Sequence, residues 1–208
     1  MPRRSKSSGR WLQEHFSDPY VQRAKAEGWR SRAVFKLEAI NRHDKLFKPG
    51  YVCLDLGAAP GAWSQYARRQ VGKQGIVIAS DILPMDPIPG VEFVLGDFRD
   101  EQVFRQILEL APAQGVDLVL SDMAPNLSGM DSIDQPRSIY LAELALDMAG
   151  QVLKREGSAL IKVFQGAGFQ ELVAATRKKF AKIKLCKPEA SRARSPELYL
   201  LARHYSMV

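Results

Sequence analysis

The sequence predicts a doubly wound α/β fold: a seven-stranded, mostly parallel sheet with one antiparallel strand and helices on both faces. Three observations predict it. From residue 51 onward, short apolar runs alternate with amphipathic ones, the pattern of buried strands linked by crossover helices. The first of those runs, YVCLDL, opens into a glycine-containing turn, GAAPG, at the place where open α/β sheets receive their ligands. The last two runs, KIKLCKP and ELYLLAR, are joined by a loop too short for a parallel crossover, so that pair must be antiparallel.

Residues 1–10 are rich in Ser, Arg and Lys, have little to bury and read as a tail. Residues 11–20 read as a short amphipathic helix. Residues 31–41, SRAVFKLEAIN, read as a firmer one: Ser31 stands at the capping position, and Val34, Leu37 and Ile40 recur at helical spacing, with Lys36 off that stripe. KPG at 48–50 closes this segment. Strands are expected at 51–56, 75–80, 91–95, 116–121, 158–164, 182–188 and 197–203, and helices at 62–70, 101–110, 135–153 and 169–180. Right-handed crossovers place the helices on both faces. A chain of 208 residues holds one domain comfortably, expected at 31–208 behind a basic N-terminal extension, 1–30.

With 46% hydrophobic and 25% charged residues, the chain can bury a core. No apolar run is long enough to span a membrane, and the basic start, MPRRSKSSGR, lacks the apolar stretch of a secretory signal; a cytoplasmic location is expected. Cys53 and Cys186 form no CxxC, and the three histidines are scattered, so neither a disulfide framework nor a metal site is expected. The net charge of +7 is unevenly placed. Residues 1–36 carry nine Lys/Arg and three acids, residues 177–208 nine and two, and the middle twelve and eighteen. Two basic ends around an acidic centre point to a polyanion partner, with nucleic acid foremost.

The turn after the first strand carries Gly57, Pro60 and Gly61. It is neither GxGxxG nor GxxxxGK[ST], so it is not built to cradle phosphates. Asp55 stands at the turn, while Asp81 and Asp97 end the next two strands. Three carboxylates around one pocket suit a nucleoside ligand that carries positive charge. Asp122 ends the fourth strand and Lys162 lies near the end of the fifth, at the same edge of the sheet. If the final strand is antiparallel, Glu197 at its start lies there too, within reach of Lys36. Lys162 interrupts an otherwise apolar strand, and burying a lysine without a partner is costly.

These residues carry a resemblance. DLGAAPGAW, SDMAPN, IKVFQG and SRARSPELYL, with WLQEHFSDPYV near the start, resemble the FtsJ/RrmJ-type ribosomal RNA large subunit (uridine-2′-O-) methyltransferases over residues 11–203. The resemblance implies a Rossmann-like fold and S-adenosyl-L-methionine as cofactor. Gly61 and Trp63 would line its methionine end, Asp81 would take its ribose hydroxyls, and Asp97 with the Phe98 backbone would address the adenine. Asp55, Gly57 and Asp122 join this set. The family's second glycine is replaced here by Ala62. Lys36, Asp122, Lys162 and Glu197 match the family's catalytic Lys-Asp-Lys-Glu tetrad.

A ribose hydroxyl is a poor acid, so Lys162 is expected to accept its proton as general base. Burial and the second ammonium of Lys36 favour the neutral amine, and carboxylates oppose it. Asp122 would position Lys162, and Glu197 would be an accessory of weaker effect. In SDMAPN, Met-Ala replaces the first proline of the turn used for exocyclic adenine nitrogens, and Asn126 replaces its aromatic. Trp11, Trp29 and Tyr20 are candidates for stacking on nucleotides or for core packing. The implied partner is ribosomal RNA within the large subunit, met by a monomer whose basic ends form one surface beside the pocket. SRAR at 191–194 would hold the target backbone. The alternatives are methylation of another RNA, a small-molecule methyltransferase, and a ribosome-assembly RNA-binding protein that retains the fold.

Overall fold

The computed structural model describes residues 18–126, 128–192 and 195–206. Two helices, α1 (Pro19–Ala26) and α2 (Val34–Asp44), precede an alternating series. It runs β1 (Val52–Leu56), α3 (Ala62–Val71), β2 (Ile76–Asp81), β3 (Glu92–Leu95), α4 (Glu101–Leu110), β4 (Val116–Ser121), α5 (Asp131–Val152) and β5 (Leu153–Phe164). It closes with α6 (Phe169–Lys179), β6 (Phe180–Cys186) and β7 (Glu197–Tyr205). Among these residues seven strands form one sheet in the order β3-β2-β1-β4-β5-β7-β6. β7 runs antiparallel to both neighbours and the remaining pairs are parallel, as the sequence predicts.

Successive residues of the central strands feed opposite faces, so these strands are apolar throughout. Cys53, Val77, Leu118, Leu120, Tyr199 and Leu201 pack under α2 and α3. Leu54, Ile78, Val119, Ile161 and Leu200 pack under α4, α5 and α6. Ala24 of α1 joins the first of these cores. The expected helix at 11–20 falls mostly outside the described residues; what is seen is α1, with Pro19 in its first turn and Asp18 accepting from the Tyr20 amide at 2.9 Å.

Four boundaries differ from expectation, each for a local reason. α2 begins at Val34, not Ser31, because residues 31–33 form a turn in which Ser31 Oγ accepts from the Ala33 amide at 3.3 Å. It ends at Asp44 rather than 41, with Lys45 in the left-handed region (φ 50). α5 begins at Asp131, four residues early. Asp131 and Asp134 suit a first turn, and Pro136 sits inside the helix, where it offers no N–H to the Ser132 carbonyl. β5 begins at Leu153 because residues 154–157 form an irregularity within it: Val116 pairs with Leu153, but Leu118 pairs with Ser158. β6 follows α6 without a connecting loop.

Asn41 holds the end of α2 to the rest. Its Oδ1 accepts from the Leu46 amide at 2.8 Å, and its Nδ2 donates to the Tyr66 hydroxyl at 3.0 Å. Replacing it leaves partly buried groups unpaired. Asn41→Ala should cost about 1–3 kcal/mol, read as a lower urea midpoint with an unchanged denaturant slope.

Candidate active site

β1, β2 and β4 are parallel and in register, so Leu56, Ser80 and Ser121 end side by side. The strand order reverses between β1 and β4, and a cavity of about 590 Å³ opens at their carboxyl ends. Gly57, Asp81, Asp97, Phe98, Asp122 and Tyr140 belong to its wall. A slot of about 30 Å³ adjoins it, reaching Asp55 and Trp63. Asp122 lines both spaces.

Gly57 has to be glycine: its φ is +71°, and a Cβ would lie 2.3 Å from Met123 Cγ. Asp81 accepts from the Ala59 amide and the Leu83 amide, each at 2.8 Å. Asp97 is clamped by Arg99, whose Nε lies 2.9 Å from Oδ2 and whose Nη1 donates to the Tyr140 hydroxyl at 3.1 Å. The Arg99 guanidinium holds the Asp97 carboxyl below the usual carboxylate range.

Asp55 is fully buried and accepts from Ser64 Oγ at 2.6 Å; burial pushes its carboxyl up to about 7. Trp63 is also buried, donating Nε1–H to the Ala33 carbonyl at 2.8 Å, its ring centroid 5.6 Å from that of Tyr199. Gly61 lines neither space. Its φ is 101°, and a Cβ would lie 2.7 Å from Ile88 Cδ1, so it lets the turn pack against the loop before β3. Arg30 ties the same two segments, donating to the carbonyls of Pro60 at 3.0 Å and Asp86 at 2.6 Å.

The four residues of the expected tetrad meet. Lys162 Nζ lies 2.7 Å from Asp122 Oδ1 and donates to the Asp122 main-chain oxygen at 2.9 Å. Glu197 bridges the two lysines: Oε1 is 2.8 Å from Lys36 Nζ, and Oε2 is 2.9 Å from Lys36 Nζ and 3.5 Å from Lys162 Nζ. Burial raises the Glu197 carboxyl, but Lys162, Lys36 and the Ser191 hydroxyl outweigh it and leave it below its ordinary range. Lys162 and Glu197 are each 8% exposed, so these charges are solvated by one another rather than by water. Lys36, Lys162 and Glu197 lie outside the cavity wall, which the cluster reaches through Asp122.

Sequence reasoning missed Tyr199 and Ser191. The Tyr199 hydroxyl donates to Asp122 Oδ1 at 2.5 Å and lies 3.5 Å from Glu197 Oε1. Burial, Asp122 and Glu197 hold that phenol well above its ordinary value. A period-two reading of β7 carries the signal, since Tyr199 shares a face with Glu197. Ser191 Oγ donates to Glu197 Oε1 at 2.9 Å; of the SRAR segment expected to hold the target backbone, Ala193 and Arg194 lie outside the described residues. Trp29 and Tyr20 are engaged in packing, Trp29 under Arg69 and Tyr20 beside Phe35. Trp11 lies outside the described residues.

The cavity's chemistry fits a cationic nucleoside. Asp81, Asp97 and Asp122 face it, with Arg99 its one cation among the described residues, and Gly57 leaves a floor that a side chain would fill. Ser80 also lines it, and its hydroxyl has no protein partner among the described residues.

This fold and site define a methyltransferase: residues 29–205 match the FtsJ-like methyltransferases, and the chain belongs to that family. Its relatives include proteins from two Legionella pneumophila strains, Corby and Paris, named ribosomal RNA large subunit methyltransferase E. Each is 54% identical over 204 residues, covering 98% of this chain and 99% of the relative. A crystal structure of a ribosomal RNA methyltransferase from Plasmodium falciparum matches with a TM-score of 0.76 and 26% identity, covering 85% of this chain and 98% of that one. An rRNA-methylase structure from Clostridium thermocellum shares the fold, with a TM-score of 0.55, 18% identity, and 81% and 96% coverage.

The Asp55 carboxyl gives a pH signature. Unfolded, it titrates near 3.9; folded, near 7, so between those values the native state binds a proton that the unfolded state lacks. Its contribution therefore falls as pH rises from about 4 to about 7 and is level above. Asp55→Asn should gain roughly 1–3 kcal/mol relative to wild type between pH 5 and pH 8, read from urea denaturation of both proteins at each pH.

Proposed function

We propose that the chain transfers the methyl group of S-adenosyl-L-methionine to the ribose 2′-hydroxyl of a uridine in the 23S ribosomal RNA of the large subunit. The observation that carries this reading is the chain of ion pairs Lys36–Glu197–Lys162–Asp122, which ends on the cavity wall. The names of the 54%-identical relatives support the substrate class. When bound, the cofactor supplies a methyl group on a positively charged sulfur. Asp81 would hold its ribose, Asp97 and Phe98 would meet the adenine, and Asp122 would face the positive charge.

Lys162 Nζ takes the hydroxyl proton. The ammonium of the resting ion pair first gives its own proton to solvent. The neutral amine then keeps two hydrogens, matched by the Asp122 main-chain oxygen at 2.9 Å and Oδ1 at 2.7 Å, and has a lone pair for the hydroxyl proton. The ammonium so formed faces Glu197 Oε2 at 3.5 Å, so the charge is balanced where it arises. Lys36 anchors Glu197, and Tyr199 fixes Asp122. General-base action is worth roughly 10²–10⁴-fold, and alignment of the reacting atoms adds to it. The acceptor is an accessible nucleotide, because a paired ribose leaves little room, and the enzyme acts as a cytoplasmic monomer.

The test is to incubate methyl-labelled cofactor with intact large subunits, naked 23S RNA and small metabolites, then to map label to ribose or base. Ribose label in RNA is expected; label on a base or a metabolite would overturn the reading. Lys162→Ala should lower the rate at saturating substrates by about 10²–10⁴-fold with cofactor affinity unchanged. Wild-type transfer by that folded variant would remove the base assignment. Glu197→Gln should cost less, since Lys162 keeps both contacts to Asp122.

A further inference from the structure

On the sheet face that carries the charge cluster, a second depression of about 270 Å³ lies between the end of α2 and strands β6 and β7. Lys182, Lys184 and Arg203 line it together with His43, Asp44 and His204. The register explains their meeting: Lys182 stands opposite Arg203, and Lys184 opposite Leu201, so their side chains share one face. Glu197 and Arg203 lie on that same face six residues apart along β7, which spans about 20 Å. α2 runs beside them, from Lys36 at the cluster to Asp44 at the cleft.

The cleft has cationic capacity in excess of its acids. The Asp44 carboxylate is taken by Lys184 Nζ at 2.7 and 2.9 Å, and Arg203 donates to the Asp44 main-chain oxygen. Lys182 is exposed and has no ion-pair partner among the described residues. At the rim, His204 Nδ1 lies 2.7 Å from Glu156 Oε2. Lysines on an exposed edge strand also deter unwanted strand pairing. Arg203, however, stands on β7, which is paired on both sides and needs no such guard. Leu201 is 1% exposed, so the cleft lacks the apolar anchor that a protein partner would use. A concave site with an arginine fork and two ammonium groups matches a phosphodiester.

We propose that this cleft binds a backbone phosphate of the RNA substrate, a second anchor about 20 Å along β7 from Glu197. The proposal rests on the RNA-methylating reading above. It gives the enzyme a grip on nucleotides flanking its target that is independent of the cofactor cavity.

The test measures binding of the full chain to naked 23S RNA across a salt series, and to intact large subunits. Lys182→Gln should make the slope of log affinity against log salt shallower by about 0.7–0.9, the signature of one lost phosphate contact. Cofactor affinity and the rate at saturating RNA should not change, and Lys73→Gln, outside the cleft, should leave the slope as in wild type. An unchanged slope for Lys182→Gln, with methyl transfer intact, would overturn the cleft and spare the function. Weaker binding to subunits with an unchanged slope on naked RNA would assign the cleft to a ribosomal protein and likewise overturn it. Failure of the wild-type chain to bind or methylate RNA would remove the reading on which both depend.

Discussion

The site depends on one antiparallel strand. Because β7 is reversed, its first residue, Glu197, pairs with Phe164 at the end of β5, and its carboxylate falls between Lys36 and Lys162. A parallel β7 would carry Glu197 to the opposite edge and leave two lysines facing each other beside Asp122 alone. Gathering four charges with so little water is costly, and their attraction offsets that cost only with close geometry and extra hydrogen bonds. Those bonds are present: Ser191 donates to Glu197, and Tyr199 and Lys162 donate to Asp122. A core filled with apolar side chains would be simpler to stabilise, so the cluster points to chemistry rather than to fold maintenance.

Much of this was legible in the sequence, and the reasons are physical. Continuous apolar strands with a β–α alternation leave few arrangements, and the short link before β7 forces its direction. Lys162 was visible because it interrupts an apolar run. The boundaries of α5 and β5 were less legible. The helix expected from 135 begins at Asp131 with Pro136 in its second turn, and residues 154–157, left between the expected helix and strand, bulge within a strand. Gly61 illustrates a different limit. A glycine in a ligand turn suggests close approach to ligand, while here the near neighbours are Ile88 and Met85 of another loop. One-dimensional pattern shows that a backbone position is special without showing what approaches it.

Asp122 joins the two halves of the site. The nucleoside-sized cavity belongs to the ends of β1 to β4, and the charge cluster to β5, β7 and α2. Asp122 follows β4, at the boundary between them, and it is the member of the cluster that lines the cavity. Its carboxylate receives Tyr199 and Lys162 from one side while facing the cavity on the other. Any displacement of β4 relative to β5 would therefore alter both the cavity and the lysine. The parallel pairing of Leu120 with Leu160 and of Ser121 with Ile161, immediately before these side chains, fixes that distance.

Net charge alone misjudges how such a protein meets a polyanion. The C-terminal basic run reads as one surface beside the pocket, but the fold divides it. Lys187 donates to the Glu197 carbonyl at 2.8 Å and to that of Ser195 at 2.5 Å, holding the loop that precedes β7. Arg32, from the basic N-terminal part, bonds Asp18 and the Ala190 carbonyl and so ties that same loop to α1. These cations are used up within the protein. Lys184 and Arg203 also bond within the protein, at Asp44, but they stand together with Lys182, which has no ion-pair partner among the described residues. The three lie a strand's length from the cluster, because alternate residues of two antiparallel strands must face the same way. The positive charge that can reach outward is thus set by strand register, and its distance from Glu197 is fixed by the length of β7.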